Sequence, residues 1–149
     1  MHLLSDMRFC RLCRLLILLS GLLAPCLASA ASTRVIVHPD SNVVSLDSVA
    51  LQGIFTLRDQ QWPDGRPIRL LVLPDQAAAH QQFCREILGV FPHQLRRIWD
   101  RRVFSGLAPA PRVVADEETM RRQVATTPGA IGYLLHEISN EGVRVVLFP

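Results

Sequence analysis

The sequence predicts an α/β sandwich, in which helices cover one β-sheet. Two observations predict this fold class. Segments with strand-like and helix-like patterns alternate along residues 33–148, as they do in α/β domains. Residues 68–73 form a nearly continuous apolar run, which is typical of a strand buried on both faces. The 149 residues are 49% hydrophobic and 19% charged, and this composition excludes disordered and collagen-like chains.

The chain begins with a predicted secretory signal at residues 1–30. Three arginines give it a positive region, namely Arg8, Arg11 and Arg14. An apolar stretch at residues 15–23 follows, and the small residues Ala28-Ser29-Ala30 form a cleavage site. Cleavage after Ala30 would leave one domain of residues 31–149. The apolar stretch is shorter than the roughly 20 residues of a membrane-spanning helix, and no later segment of the sequence approaches that length. We therefore expect no membrane span after cleavage and a periplasmic or secreted location.

Removal of the signal also changes the charge and the cysteine content. The whole chain has sixteen basic and thirteen acidic residues, whereas residues 31–149 have thirteen and twelve, a net charge of +1. A nucleic-acid-binding domain keeps a strong basic excess, so we expect no nucleic-acid partner. Cys84 is the one cysteine outside the signal, and an intramolecular disulfide is therefore excluded. The hydrophobic core alone must stabilise the domain.

The first half of the domain predicts a strand, a helix and a second strand. Residues 33–37 are a β-branched run of strand length. Residues 45–47 (Ser-Leu-Asp) offer N-cap residues for a short helix, since apolar residues recur after them at helical spacing. The Asp64-Gly65 pair marks a turn, and Trp62 is placed to cover the edge of the core beside it. The strand at residues 68–73 should be central in the sheet.

The second half predicts three helices and three strands. The first helix carries His80 and Cys84 on its apolar face and ends at Gly89. Pro92 begins an amphipathic helix that ends near Gly106. The remaining predicted elements follow in order: a strand at 112–115, a helix from Asp116 to about Thr126, and strands at 131–135 and 143–148.

Three segments together resemble a known family. They are residues 53–68 (GIFTLRDQQWPDGRPI), 83–89 (FCREILG) and 126–134 (TTPGAIGYL). In this order they are similar to the phosphate-type periplasmic substrate-binding proteins of ABC transporters, over residues 35–148. The resemblance implies one lobe of a type 2 periplasmic binding protein, a three-layer sandwich with a mixed, mostly parallel sheet. Members of this family usually close two such lobes on an oxyanion.

One loop departs from the pattern of that family. After the strand that corresponds to residues 68–73, the family usually has Ser-Gly-Thr, whose hydroxyl and N–H groups receive the anion at a helix N-terminus. Residues 74–79 here read PDQAAA. We expect Asp75 to cap the helix and to repel an anion, at a cost of about 4 kcal/mol for two like charges at about 4 Å. The resemblance still makes this loop the candidate ligand site, with Asp75, Gln76, Ala77 and nearby Thr56.

Other chemically suggestive groups have structural interpretations. His80 and Cys84 lie four residues apart, a spacing that suits two metal ligands or a thiol with its base. We favour instead a core cysteine beside a histidine at the boundary of the core. The Arg96-Arg97 and Arg101-Arg102 pairs are interpreted as a solvated helix face. The acids at 116–118 suit a helix N-terminus. Because no hydrolase, phosphate-loop or metalloprotease motif occurs, we predict no catalytic residue, no metal site and no cofactor.

The predicted function is therefore that of an exported, non-catalytic, solute-binding-protein-like domain. It would serve a phosphate or other oxyanion ABC transporter as substrate-binding or accessory protein. Its candidate partners are a small oxyanion or other small solute and a transporter, receptor or sensor protein. The alternative is a periplasmic protein-interaction module that has lost ligand binding.

Overall fold

The computed structural model describes residues 33–135 and 141–147. The predicted signal and its cleavage site lie outside these residues. The described strands are β1 (Arg34–Val37), β2 (Arg69–Val72), β3 (Arg112–Val113), β4 (Ala130–Leu134) and β5 (Arg144–Val146). The described helices are α1 (Ser48–Phe55), α2 (Ala78–Phe83), α3 (Pro92–Phe104) and α4 (Glu117–Thr126), and a π-helical turn, Cys84–Leu88, directly continues α2.

The strands form one mixed sheet in the order β3-β2-β4-β1-β5. Strand β2 is parallel to β3 and β4, whereas β1 is antiparallel to β4 and β5. Strands β2 to β5 consequently run in one direction and β1 runs against them. This arrangement confirms the mixed, mostly parallel α/β sheet. Strand β2 lies between two parallel neighbours, and residues Leu70, Leu71 and Val72 are buried, as the apolar run predicted.

The helix boundaries follow from local chemistry. The Asp47 carboxylate accepts the Ala50 N–H at 2.7 Å and so caps α1. Asp116 caps α4 in the same way, accepting the Thr119 N–H at 2.7 Å. The π-helical turn after α2 ends at Gly89, whose φ of 66° is left-handed. The predicted strands at 112–115 and 143–148 are shorter in the structure, β3 and β5.

Aromatic side chains join the helices to the sheet. Phe83 stacks on Tyr133 with ring centroids 4.1 Å apart, and Phe55 contacts Phe83 at 4.5 Å. Trp62 is buried and donates its indole N–H to the Gly129 carbonyl at 3.0 Å, which confirms that it covers the core edge. Among the described helices, none is long and apolar enough to cross a membrane.

Candidate functional site

A cluster of polar side chains lies where the chain leaves β2. We call it the Asp75 cluster, and it consists of Asp75, His80, Cys84, Arg96 and Tyr133. After β2 the chain turns, with the Ala77 N–H donating to the Pro74 carbonyl at 2.9 Å. Asp75 lies in this turn. The turn therefore places Asp75 at the carboxyl end of a central parallel strand, the usual position of ligand sites in open α/β sheets.

The Asp75 carboxylate is held by Arg96 of α3. Arg96 donates from Nη2 to Oδ1 at 2.7 Å and from Nε to Oδ2 at 3.3 Å. The guanidinium carbon lies 5.0 Å from the centre of the Trp99 ring, a cation–π distance. The side chains of Asp75 and Arg96 are 32% and 38% exposed, so solvent reaches this two-pronged ion pair.

The expectation that Asp75 caps the following helix is wrong. Helix α2 has Ala77 at its N-cap, and no side chain caps it. A carboxylate gains more from the charged, bidentate Arg96 fork than from neutral backbone N–H groups. Arg96 is 21 positions away in the sequence, and the local pattern around Asp75 therefore carried no sign of this competing partner.

Beneath the ion pair, His80 and Tyr133 are fully buried. The Tyr133 hydroxyl accepts the Leu73 N–H at 2.9 Å, and its oxygen lies 2.5 Å from His80 Nδ1. The hydroxyl proton is thus directed at Nδ1, and the imidazole proton belongs on Nε2, which lies 3.8 Å from Asp75 Oδ1. That distance is too long for a hydrogen bond. Burial lowers the pKa of His80 more than Asp75 raises it, so the imidazole is neutral at neutral pH.

Cys84 is a core residue, as its helix face predicted. It is fully buried, with Sγ 3.5 Å from His80 Nε2. Burial raises the pKa of the Cys84 thiol to about 12, because the thiolate is poorly solvated there. The thiol is therefore protonated at neutral pH and is inert as a nucleophile. Within residues 33–135 and 141–147, no group of three or more His, Cys, Asp or Glu side chains is arranged to hold a metal ion.

Solved structures with the same fold are phosphate receptors. No protein-family model matches the chain, and the curated proteins gave no match. An ABC-type phosphate transport receptor from Vibrio cholerae matches 78% of this chain with a TM-score of 0.62 and 17% identity. PstS from Borrelia burgdorferi also matches 78% of it, with a TM-score of 0.62 and 15% identity. The chain has the fold of one phosphate-receptor lobe.

The match covers 45% of the Vibrio cholerae receptor and 47% of PstS, so this chain spans less than half the length of either protein. The family resemblance of its three segments is confirmed at the level of the fold.

The predicted ligand residues lie in different settings. Asp75, Gln76 and Ala77 are consecutive in the turn after β2, and Gln76 is exposed. Thr56 ends α1 and donates its hydroxyl to the Gln52 carbonyl of the same helix at 2.6 Å. The hydroxyl of Thr56 is thus engaged within α1.

Sequence reasoning missed two members of the cluster. Arg96 was assigned to the solvated face of α3, but it binds Asp75. Arg102 of that face likewise donates to the Leu57 carbonyl at 3.2 Å, while Arg97 and Arg101 are exposed as predicted. Tyr133 lies in the GAIGYL segment and was taken only as part of a strand. Its hydroxyl could have indicated a place in a polar cluster, since a buried tyrosine usually has a hydrogen-bond partner.

Proposed function

We propose that this protein is an exported, non-catalytic accessory domain of a solute-uptake or sensing system, built as one phosphate-receptor lobe. In this proposal the protein does not bind phosphate at the turn after β2. The bidentate ion pair between Asp75 and Arg96 carries the proposal. The Asp75 carboxylate pairs with the Arg96 guanidinium, to which an incoming oxyanion would otherwise bind.

The charge of Asp75 argues against an oxyanion in this turn. An anion placed about 4 Å from the carboxylate would be repelled by about 4 kcal/mol at an effective dielectric near 20. The Arg96 guanidinium could offset this repulsion only by releasing Asp75. The turn also has no hydroxyl side chain, since residues 74–79 read PDQAAA.

The chemistry of the cluster supports a non-catalytic role. The Cys84 thiol is buried and protonated, and the His80 imidazole is buried and neutral. A general base must reach the proton that it removes, and neither group is exposed to a substrate. The periplasmic or secreted location rests on the signal predicted at residues 1–30 and accords with a receptor-like fold.

Phosphate binding by the wild-type protein and by Asp75→Asn tests the proposal. We expect no calorimetric binding signal and no thermal shift for the wild type in millimolar phosphate or sulfate. Asp75→Asn removes the charge at nearly constant volume, and we expect it to gain weak, millimolar phosphate binding through the released Arg96. Asp100→Asn, an exposed acid on α3, is the matched control and should behave as the wild type.

Two results would contradict the proposal. A phosphate-saturated wild type would be stabilised by about 2.7 kcal/mol at one hundred times Kd, which raises the midpoint by roughly ten degrees in a domain of this size. Such a shift would make the protein a phosphate binder. If Asp75→Asn gains no affinity, the carboxylate does not exclude the anion.

A protein-interaction module is the second candidate, and exposed apolar side chains favour it. Phe104 at the end of α3 is 88% exposed, and Leu107 and Val113 are also exposed. Val113 belongs to β3, an edge strand of the sheet, and exposed edges can pair with another chain. Recovery of one specific partner that Phe104→Ser no longer binds, together with no solute binding, would favour this function.

A further inference from the structure

We propose that a groove beside the start of β2 binds a small organic anion with an apolar body. The groove has a volume of about 470 Å³, within the range of about 300 to 1,000 Å³ usual for small-molecule sites. It lies between the end of α1, the first residues of β2 and the connector that precedes β3. Asp75 follows the opposite end of β2, so this site is separate from the Asp75 cluster and independent of the function proposed above.

The sheet itself creates the groove. Arg69 and Leu70 pair with β4 on one side of β2, whereas pairing with β3 on the other side begins only at Leu71, opposite Arg112. The connector before Arg112 contains Pro109 and Pro111, and proline has no N–H to donate to a strand. The connector therefore leaves β2 unpaired at its start, and a gap opens there.

The groove has an apolar floor. Ile54 and Leu57 from the end of α1 and Leu70 and Leu71 of β2 line it, and all four are buried in the core. A flat hydrocarbon ring placed on this floor would lose contact with water, which is favourable in proportion to the apolar area removed. An apolar body is thus the first chemical requirement of the ligand.

Two arginines set the second chemical requirement of the ligand, which is a negative charge. Arg69 and Arg112 both line the groove and are exposed. Neither guanidinium group makes a hydrogen bond or an ion pair within residues 33–135 and 141–147. The acid that lines the groove, Asp59, is paired with Arg58 at 3.1 Å. Two guanidinium groups beside an apolar floor match a carboxylate or sulfonate attached to a ring.

Fluorescence titration with two probes tests this site in the purified protein. The anionic probe is 8-anilinonaphthalene-1-sulfonate, and the neutral probe is N-phenyl-1-naphthylamine, which has a similar body without the sulfonate. We expect Arg69→Gln and Arg112→Gln each to lower the affinity for the anionic probe about three- to fivefold, the usual contribution of one exposed ion pair. Both variants should leave the neutral probe unchanged.

Two further variants complete the test. Arg97→Gln removes an exposed arginine from α3 and should change neither probe. Ala110→Trp places a large ring at an exposed groove residue and should lower the affinity for both probes. The proposal is overturned if the two groove arginines do not affect the anionic probe, or if Ala110→Trp leaves it bound. A dimer that forms in sedimentation and displaces the probe would also overturn it, because the groove would then be an interface between two copies.

Discussion

The Tyr133 hydroxyl determines which nitrogen of His80 carries the proton. Its oxygen accepts the Leu73 N–H, so its own proton is free only for His80 Nδ1. One hydroxyl thereby satisfies the backbone N–H just after β2 and a buried imidazole, both of which would be costly without partners. Burial also raises the pKa of Tyr133, which keeps the phenol protonated in this role.

The depressed pKa of His80 predicts a stability that falls in mild acid. The unfolded chain binds a proton at His80 near the ordinary histidine pKa of 6.5, whereas the folded protein binds it only at lower pH. The contribution of His80 to the free energy of unfolding should be constant above about pH 6.5 and decrease below it, by at most about 1.4 kcal/mol per pH unit. Urea unfolding at several pH values measures this slope.

The matched variants separate His80 from the other histidines. His80→Asn should flatten the slope, whatever its effect on total stability, because the titrating group is gone. His93→Asn removes an exposed histidine of α3 and should keep the wild-type slope. Equal slopes for the wild type and His80→Asn would contradict the assignment.

At the scale of elements, the end of the second helix depends on Gly89. This residue has a φ of 66°, and a Cβ added there would meet no atom within 4 Å. A substitution therefore costs backbone energy without a clash. We expect Gly89→Ala to lower the free energy of unfolding by about 1 to 2 kcal/mol and Gly89→Asn to cost less, since asparagine tolerates this conformation better. Thermal unfolding would detect both, and an unchanged Gly89→Ala midpoint would contradict the prediction.

Local chemistry explains which elements could be predicted. Asp47, Asp116 and Gly89 act within a few residues of their own positions. The ends of the helices that they mark could therefore be predicted from the sequence. The π-helical turn at Cys84–Leu88 was not predicted, because a single turn is too short for its wider hydrogen-bond spacing to appear in the apolar pattern. The strands β3 and β5 were predicted too long, since strand ends depend on which neighbour pairs with them.

The candidate site was less accessible to sequence reasoning than the fold. The turn was identified from residues 74–79, but its chemistry comes from Arg96 and Tyr133, which distant elements supply. The groove beside β2 was not foreseen at all, because it results from strand register and from the path of the Pro109–Pro111 connector. Cross-strand register is a property of the whole sheet, and no single segment encodes it.

At the scale of the whole molecule, we expect residues 31–149 to fold as one cooperative unit. The two tryptophans report from separate places, since Trp62 binds the Gly129 carbonyl beside β4 and Trp99 binds the Phe55 carbonyl of α1. In urea, tryptophan fluorescence and far-ultraviolet circular dichroism should give coincident transitions. Two separate transitions would show that the domain contains independently folding parts.

The position of β1 has a consequence for how the molecule is made. Ile36, near the start of the domain, lies opposite Gly132 on one side and Val145 on the other. During synthesis β1 has neither of these partners until residues 132 and 145 emerge, and closing so long a loop is slow. The nascent polypeptide therefore stays extended for longer than one with local pairings. Under the export proposed above, a secretion channel that accepts only unfolded polypeptides would receive it in a competent state, and the sheet would close after passage.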